Sequence, residues 1–312
     1  MAQVINKYVW LVDTIRKAGK AGITFEDINK LWLRKDNVEL SGGLEIPHRT
    51  FHKWRIAVEE MFNVAIDCRR KGGYHYFIAN PEELKGHSMS NWLLETVSVS
   101  NLLMQNIALK GRVLLENVPS GLQFLPEILD AMNGNNVLSV TYKGYWHEEA
   151  STFDVHPYCV KLFKQRWYMV AFSTQRQAIR TYALDRIQAL DRRTATFVMP
   201  SNFSPVLFFK NSYGVMMGSE VPSDVKIKVN AFEANYLRSL PLHHSQQEVF
   251  KCEEYSIFTY HLSPEFDFRM ELLSRGDDVE VLEPAYLRDA MAEIACRMNA
   301  IYNGQLPPTI EN

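Results

Sequence analysis

Residues suited to covalent or metal chemistry are few in this chain and badly spaced. His243 and His244 adjoin, with Cys252 eight positions on. That spacing matches no zinc-ligand signature, and tandem histidines in a loop are ordinarily surface groups. The acid pairs Glu59-Glu60, Glu148-Glu149 and Asp277-Asp278 are adjacent in sequence, and neighbours in a helix or strand do not converge on one substrate. The chain has no G-x-S-x-G elbow, no G-x-x-x-x-G-K-[ST] phosphate loop and no H-E-x-x-H. Its four cysteines, Cys68, Cys159, Cys252 and Cys296, form no C-x-x-C pair and read as reduced thiols. The expectation is a protein without catalytic activity, cofactor or metal.

Recognition chemistry is better supplied. Residues 1–80 hold thirteen Lys and Arg against nine Asp and Glu, a net of +4 in a chain whose overall charge is -2. Such segregation is what a DNA-binding head requires. In "PHRTFHKWRIAVEEMF", Phe51, Trp54, Val58 and Phe62 recur at helical spacing, which leaves His48, Arg49, Thr50, His52 and Lys53 on the other side, toward the helix N-terminus. A recognition helix reads base edges from that end, where a guanidinium takes guanine O6 and N7 together. Arg69, Arg70 and Lys71 sit in the turn of a hairpin that follows, placed to meet phosphates of a double-stranded DNA operator.

A second concentration lies in "KQRWYMVAFSTQRQAIRTYALDRI", Lys164–Ile187, two alternating runs around a polar turn with arginines flanking "TYALD". Alternation puts Trp167 and Met169 on one face, opposite Tyr168, and groups Arg180, Tyr182 and Leu184 opposite Asp185. Trp167 and Leu184 are expected in the core, and Asp185 is expected to pair with Arg186 or an inter-strand arginine.

These groups need elements to hold them. Val4, Tyr8, Leu11 and Ile15 make a first helical stripe; Thr24 caps a second helix with Ile28, Leu31 and Trp32 inward. The polar loop "RKDNVELSGGLE" leads to Pro47 and the third helix, and "VAIDCRRKGGYHYFIA" is a hairpin with glycines at its turn. Three helices and a hairpin describe a winged helix-turn-helix over 1–80. Residues 81–134, rich in Leu, Met and Asn, read as a helical connector. Over 135–205, five short runs from "VLSVTYKG" to "TATFVMP" suggest a small SH3- or Sm-like β-barrel. Over 222–304, a βαββαβ order with a further helix predicts a ferredoxin-like module. The fold class expected is therefore α+β. No apolar run reaches the ~20 residues that span a bilayer, and no cleavable leader opens the chain. A cytoplasmic protein is expected, with no membrane partner.

The stretch "RWYMVAF…IRTYALDRI" resembles the hallmark of WYL-domain transcription regulators, with Met169 in place of the third residue of the Trp-Tyr-Leu tripeptide. Upstream, "VHPYCV" and "VLSVTYKG" are similar to the family's proline-centred strand and first strand. Downstream, "YLRSLPLHHSQQ" and "LLSRGDDVEVLEPAYLRDAMAEIACRMNAIY" resemble its C-terminal extension. The resemblance spans about residues 1–302. It implies a bacterial regulator whose barrel senses a nucleotide or single-stranded nucleic acid, with Tyr142, His156, Tyr168, Arg180, Tyr182 and Arg186 as ligand contacts. Arginines fork onto phosphates and tyrosines stack on bases. A homodimer reading two half-sites is expected. The alternative is an adaptor whose barrel holds single-stranded DNA or RNA as its working substrate.

Overall fold

The computed structural model describes residues 2–34, 41–84, 89–105, 112–114, 116, 118–119, 121–146 and 148–305. The chain divides into two units, 1–116 and 117–312.

The first unit begins with α1 (Ala2–Lys17), α2 (Phe25–Trp32) and α3 (His48–Phe62), followed by an antiparallel hairpin of β1 (Ile66–Arg69) and β2 (His75–Ile78). Its core gathers Leu11, Val12 and Ile15 from α1, Ile28 and Trp32 from α2, and Phe51, Val58 and Phe62 from α3. The stripe of α1 is rotated from the expected one: Val9 is buried, whereas Val4 is 45% exposed. Thr24 caps α2 as expected, its Oγ1 accepting from the Asp27 amide at 3.1 Å and donating to the Asp27 carboxylate at 2.9 Å. Residues 35–40 of the polar loop expected over 34–45 lie outside the described residues. Beyond them the approach to α3 is fixed by two side chains of α2. Buried Asn29 accepts from the Ile46 amide (2.8 Å) and donates to the Ile46 carbonyl (3.2 Å), and the Trp32 indole donates to the Leu44 carbonyl (3.0 Å). The hairpin is tied to the helices by an Ile23–Tyr76 bridge. At that bridge Gly22, φ +76°, leaves no room for a Cβ, which would stand 2.9 Å from the Tyr76 carbonyl oxygen.

The stretch 81–134 is not a body of its own. Its first helix, α4 (Met89–Gln105), sends Leu94 wholly into the core of the first unit. Its last, α5 (Leu125–Gly134), buries Ile128 and Ala131 in the second. Apolar content high enough to exclude disorder is here used to extend two cores. Much of the segment between these helices lies outside the described residues.

In the second unit, β3 (Asn136–Tyr142), β4 (Ser151–Phe163), β5 (Arg166–Ser173), β6 (Ala178–Ala183) and β7 (Ile187–Thr196) form one antiparallel sheet in the order β6-β5-β4-β3-β7. One face carries Leu138, Val140, Val155, Met169, Ala171 and Tyr182 against α5. The other carries Val137, Tyr158 and Phe172, covered by Phe197, Met199 and Phe203. A one-turn helix α6 (Pro205–Phe208) leads on to β8 (Ser223–Asn230), α7 (Ala231–Ser239), β9 (Gln247–Lys251), β10 (Tyr255–Leu262), α8 (Phe266–Leu273), β11 (Val279–Glu283) and α9 (Ala285–Tyr302). The second sheet runs β11-β8-β10-β9, all neighbours antiparallel: fourth, first, third, second in order of appearance. Ala234 and Leu237 of α7 and Phe268 and Leu272 of α8 pack on its inner face. β9 is an edge strand with every residue exposed, and the register slips by one between Ile257 and Phe258 of its partner. No helix among the described residues is long and apolar enough to cross a membrane.

Candidate functional site

In the first unit, α3 turns Phe51, Val58 and Phe62 wholly inward and packs Trp54 partly against the same core, which leaves the opposite side of its N-terminal half to water. His48, Arg49, His52 and Lys53 are exposed and Thr50 is half-buried. The His48 ring stacks on Phe25, centroids 3.9 Å apart, which ties the first turn of α3 to α2. At the hairpin turn Arg69, Arg70 and Lys71 are all exposed. Arg69 is partly committed: it donates to the Lys20 carbonyl at 2.9 Å, and its guanidinium lies 5.3 Å from the Phe77 ring centre.

In the second unit, the six expected ligand contacts do not form one surface. Tyr142, Arg180 and Tyr182 line a cavity of about 220 Å³ at the β6 end of the first sheet, together with Gly144, Ser151, Phe153, Ser173, Gln175, Arg176 and Thr181. The register sets this grouping, since Arg180 lies opposite Ala171 and Tyr182 opposite Met169. The tyrosine rings meet edge to face at 5.3 Å. Burial raises both phenols, that of Tyr142 against the pull of Arg186 and that of Tyr182 against a hydrogen bond with Ser173. Tyr182 is only 6% exposed and serves mainly as the cavity floor. Arg176 and Arg180 stand in solvent at the rim, and neither is within ion-pair distance of a carboxylate among the described residues.

Arg186 follows on the one-turn segment Leu184–Arg186, its guanidinium 3.6 Å from the centre of the Tyr145 ring. The Tyr145 hydroxyl accepts from Arg166 at 3.4 Å, and these guanidinium groups hold its phenol below the usual tyrosine range. Arg166 also pairs with Asp185 at 3.2 Å; the inter-strand arginine, not Arg186, is the partner of that acid. Trp167 packs against the inner core and Leu184 is fully buried within it, as alternation predicts.

Tyr168 and His156 do not line this cavity, although the Tyr168 phenol feels the charges of Arg166, Asp185 and Arg186. Tyr168 pairs across the strands with Lys161, on the opposite face from Met169, and burial raises its phenol. His156 stacks flat on Phe197 at 4.7 Å, and burial lowers its imidazole despite Asp154 nearby. Neither belongs to the cavity. Sequence reasoning missed Tyr145, Arg166 and Arg176. The pair "YW" in a loop between two strands was the available signal for the first.

Among the described residues no group of three or more His, Cys, Asp or Glu is placed to hold a metal ion. His243, buried beside His244, bonds Ser245 at 2.7 Å and the Lys210 carbonyl at 2.9 Å, and burial lowers it to about 4. It is a packed, neutral side chain.

The second unit thus joins a five-stranded antiparallel sheet, with an arginine–tyrosine cluster at its end, to a four-stranded sheet layered with helices. Two family models match parts of the chain: the one described as WYL domain matches residues 123–192, and the one described as WCX domain matches residues 222–298. Among solved structures the chain is similar to proteasome accessory factor B/C (PafBC) of Arthrobacter aurescens, at 18% identity and a TM-score of 0.37. That match covers 100% of this chain and 49% of the other, so the chain spans about half the length of that protein. It is also similar to a CRISPR Cas-related protein, at 12% identity and a TM-score of 0.43, covering 96% and 85% of the two chains. No curated protein matches the chain.

Proposed function

We propose that the chain is a cytoplasmic DNA-binding transcription regulator without catalytic turnover, with a winged-helix head, a WYL barrel and a ferredoxin-like WCX module. The observation that carries the reading is the split character of α3, in which Phe51, Val58 and Phe62 are wholly buried while His48, Arg49, His52 and Lys53 stand in water at its N-terminal half. That half of a recognition helix meets base edges in the major groove, with Arg70 and Lys71 of the wing on phosphates. The barrel senses a nucleotide or single-stranded nucleic acid through Arg176, Arg180, Tyr142 and Arg186. The working state is a homodimer, whose two heads read two half-sites. Effector binding changes operator affinity through its differential affinity for two arrangements of the dimer.

The test is a titration of the full chain with a duplex selected from a random pool, in the presence and absence of oligothymidylate. A regulator changes its duplex affinity when the single strand is added. Independent binding of the two favours the adaptor, in which the barrel holds single strands as working substrate. Failure to retain any duplex from the pool removes the head assignment.

A further inference from the structure

The exposed side of α3 is not basic throughout. Arg49, Lys53, Ile56 and Glu60 recur at spacings of four, three and four, so they share one side of the helix, with His52 beside them. All five are exposed. Along that side the order is basic and histidine side chains, then isoleucine, then an acid. Ile56 is 51% exposed, and the core of the head is closed on this helix without it, by Phe51, Trp54, Val58 and Phe62. A β-branched side chain gains nothing at such a position: it favours a helix less than alanine or lysine does, and its apolar surface stays wet. A single surface isoleucine is ordinary in itself. This one stands on the side that carries Arg49 and Lys53, three positions beyond the lysine.

We infer that Ile56 reads the C5-methyl group of a thymine and is a specificity-determining residue of the head. The inference rests on the DNA-binding reading above and adds a particular base to it. Base edges in the major groove present hydrogen-bond donors and acceptors, with one exception, the thymine methyl. An apolar side chain on a recognition helix therefore has one kind of group to meet. Glu60, one turn further on, repels phosphates and ends the contacting stretch, so Ile56 is the last residue on this side to approach the bases. Ile56 lies seven residues beyond Arg49, which at ~1.5 Å per residue is roughly 10 Å of helix. With base pairs ~3.4 Å apart and the helix inclined in the groove, the thymine falls about two to three base pairs from the guanine that Arg49 contacts.

The experiment uses the full chain, the duplex selected from the random pool, and copies of it in which one thymine at a time is replaced by deoxyuridine. That exchange removes the methyl group and leaves base pairing intact. Wild type should lose affinity about three- to fivefold, the worth of one buried methyl at ~0.8 kcal/mol, at a thymine about two to three base pairs from the guanine whose replacement Arg49→Ala no longer notices. Ile56→Ala should bind the parent duplex more weakly by at least that factor and be indifferent to that deoxyuridine, whereas Arg49→Ala stays sensitive to it. Alanine is the better helix former and Ile56 lies outside the core, so Ile56→Ala should melt no lower than wild type. Equal sensitivity of wild type and Ile56→Ala to every deoxyuridine, or a wild type insensitive to all of them, overturns the inference and leaves the head assignment standing. A selected duplex with no thymine at that distance does the same. If wild type retains no duplex, both readings fall.

Discussion

The Lys161 ammonium donates to the Gly214 carbonyl at 2.6 Å and lies 3.8 Å from the centre of the Phe209 ring, holding the loop after α6 against β4. Burial lowers its pKa from 10.5 to about 8, against the opposing influence of Asp267 and Cys159. The folded state thus releases this proton near pH 8, while the unfolded chain keeps it to about 10.5. Stability rises with pH wherever the unfolded state binds more protons. Melting of wild type relative to Lys161→Met should therefore shift in favour of wild type between pH 8 and 10.5 and stay level below pH 7. Parallel curves across that window would show that the ammonium is not desolvated.

Arg49 and Lys71 should separate by the kind of loss each produces. Arg49→Ala is expected to weaken the selected duplex by about 1–3 kcal/mol and relax its sequence preference, as loss of a bidentate base contact does. Lys71→Ala should weaken all duplexes alike and reduce the salt slope by about one. Anisotropy titrations at several salt concentrations read both quantities; a uniform loss for Arg49→Ala would move it to the phosphate-contacting set.

Gly121 has φ +63°, and a Cβ there would stand 2.3 Å from the carbonyl carbon of Leu184 and 2.5 Å from the Asp185 amide nitrogen. Gly121→Ala should cost about 1–3 kcal/mol from backbone strain alone, and the clash adds to it. The atoms it strikes are backbone of the turn that carries Arg186, so affinity for oligothymidylate should fall with melting temperature. A variant that melts and binds as wild type would mean that this turn moves freely.

Arg180 and Tyr182 line one cavity but should fail differently. Arg180 is exposed, so Arg180→Ala should leave melting unchanged and cost about 1.5–3 kcal/mol of affinity for a phosphate-bearing ligand, less as salt rises. Tyr182 is buried against Tyr142 and Phe153, so Tyr182→Ala should cost about 3–5 kcal/mol of stability. Calorimetry and binding measured side by side test the contrast, and a melting loss on Arg180→Ala would make that arginine part of the scaffold.

The helical stripes of α2 and α3 follow from apolar spacing, since burial of a helix face depends on residues within the helix. Alternation likewise separates Tyr168 from Trp167 and Met169. What alternation leaves open is which faces of different strands coincide. That depends on pairing: Met169 opposite Tyr182 puts the tyrosine on the core side, and His156 opposite Phe172 puts the histidine on the other. The expected ligand set therefore divides between two faces. The Arg69–Lys20 bond joins residues 49 apart, and the Tyr145–Arg186 stack brings a loop to a turn. Neither has a period, so local pattern gives no sign of them.

The exposed edge strand β9 carries Val249 and Phe250, an apolar pair on an open row of amides and carbonyls, which is a template for uncontrolled strand addition. Glu248 stands beside them, gripped by three hydrogen bonds from Arg238, which bring its pKa down to about 2. Charged residues flanking such a strand act as gatekeepers against fibrillar growth. Most carboxylates lose that role in mild acid, but this one stays ionised down to about pH 2 for as long as Arg238 holds it. Together with the bulge at Val249 of β9, the extra residue between the Ile257–Phe250 and Phe258–Glu248 pairs, which spoils the flatness a stacking partner needs, that charge opposes strand addition at this edge down to about pH 2.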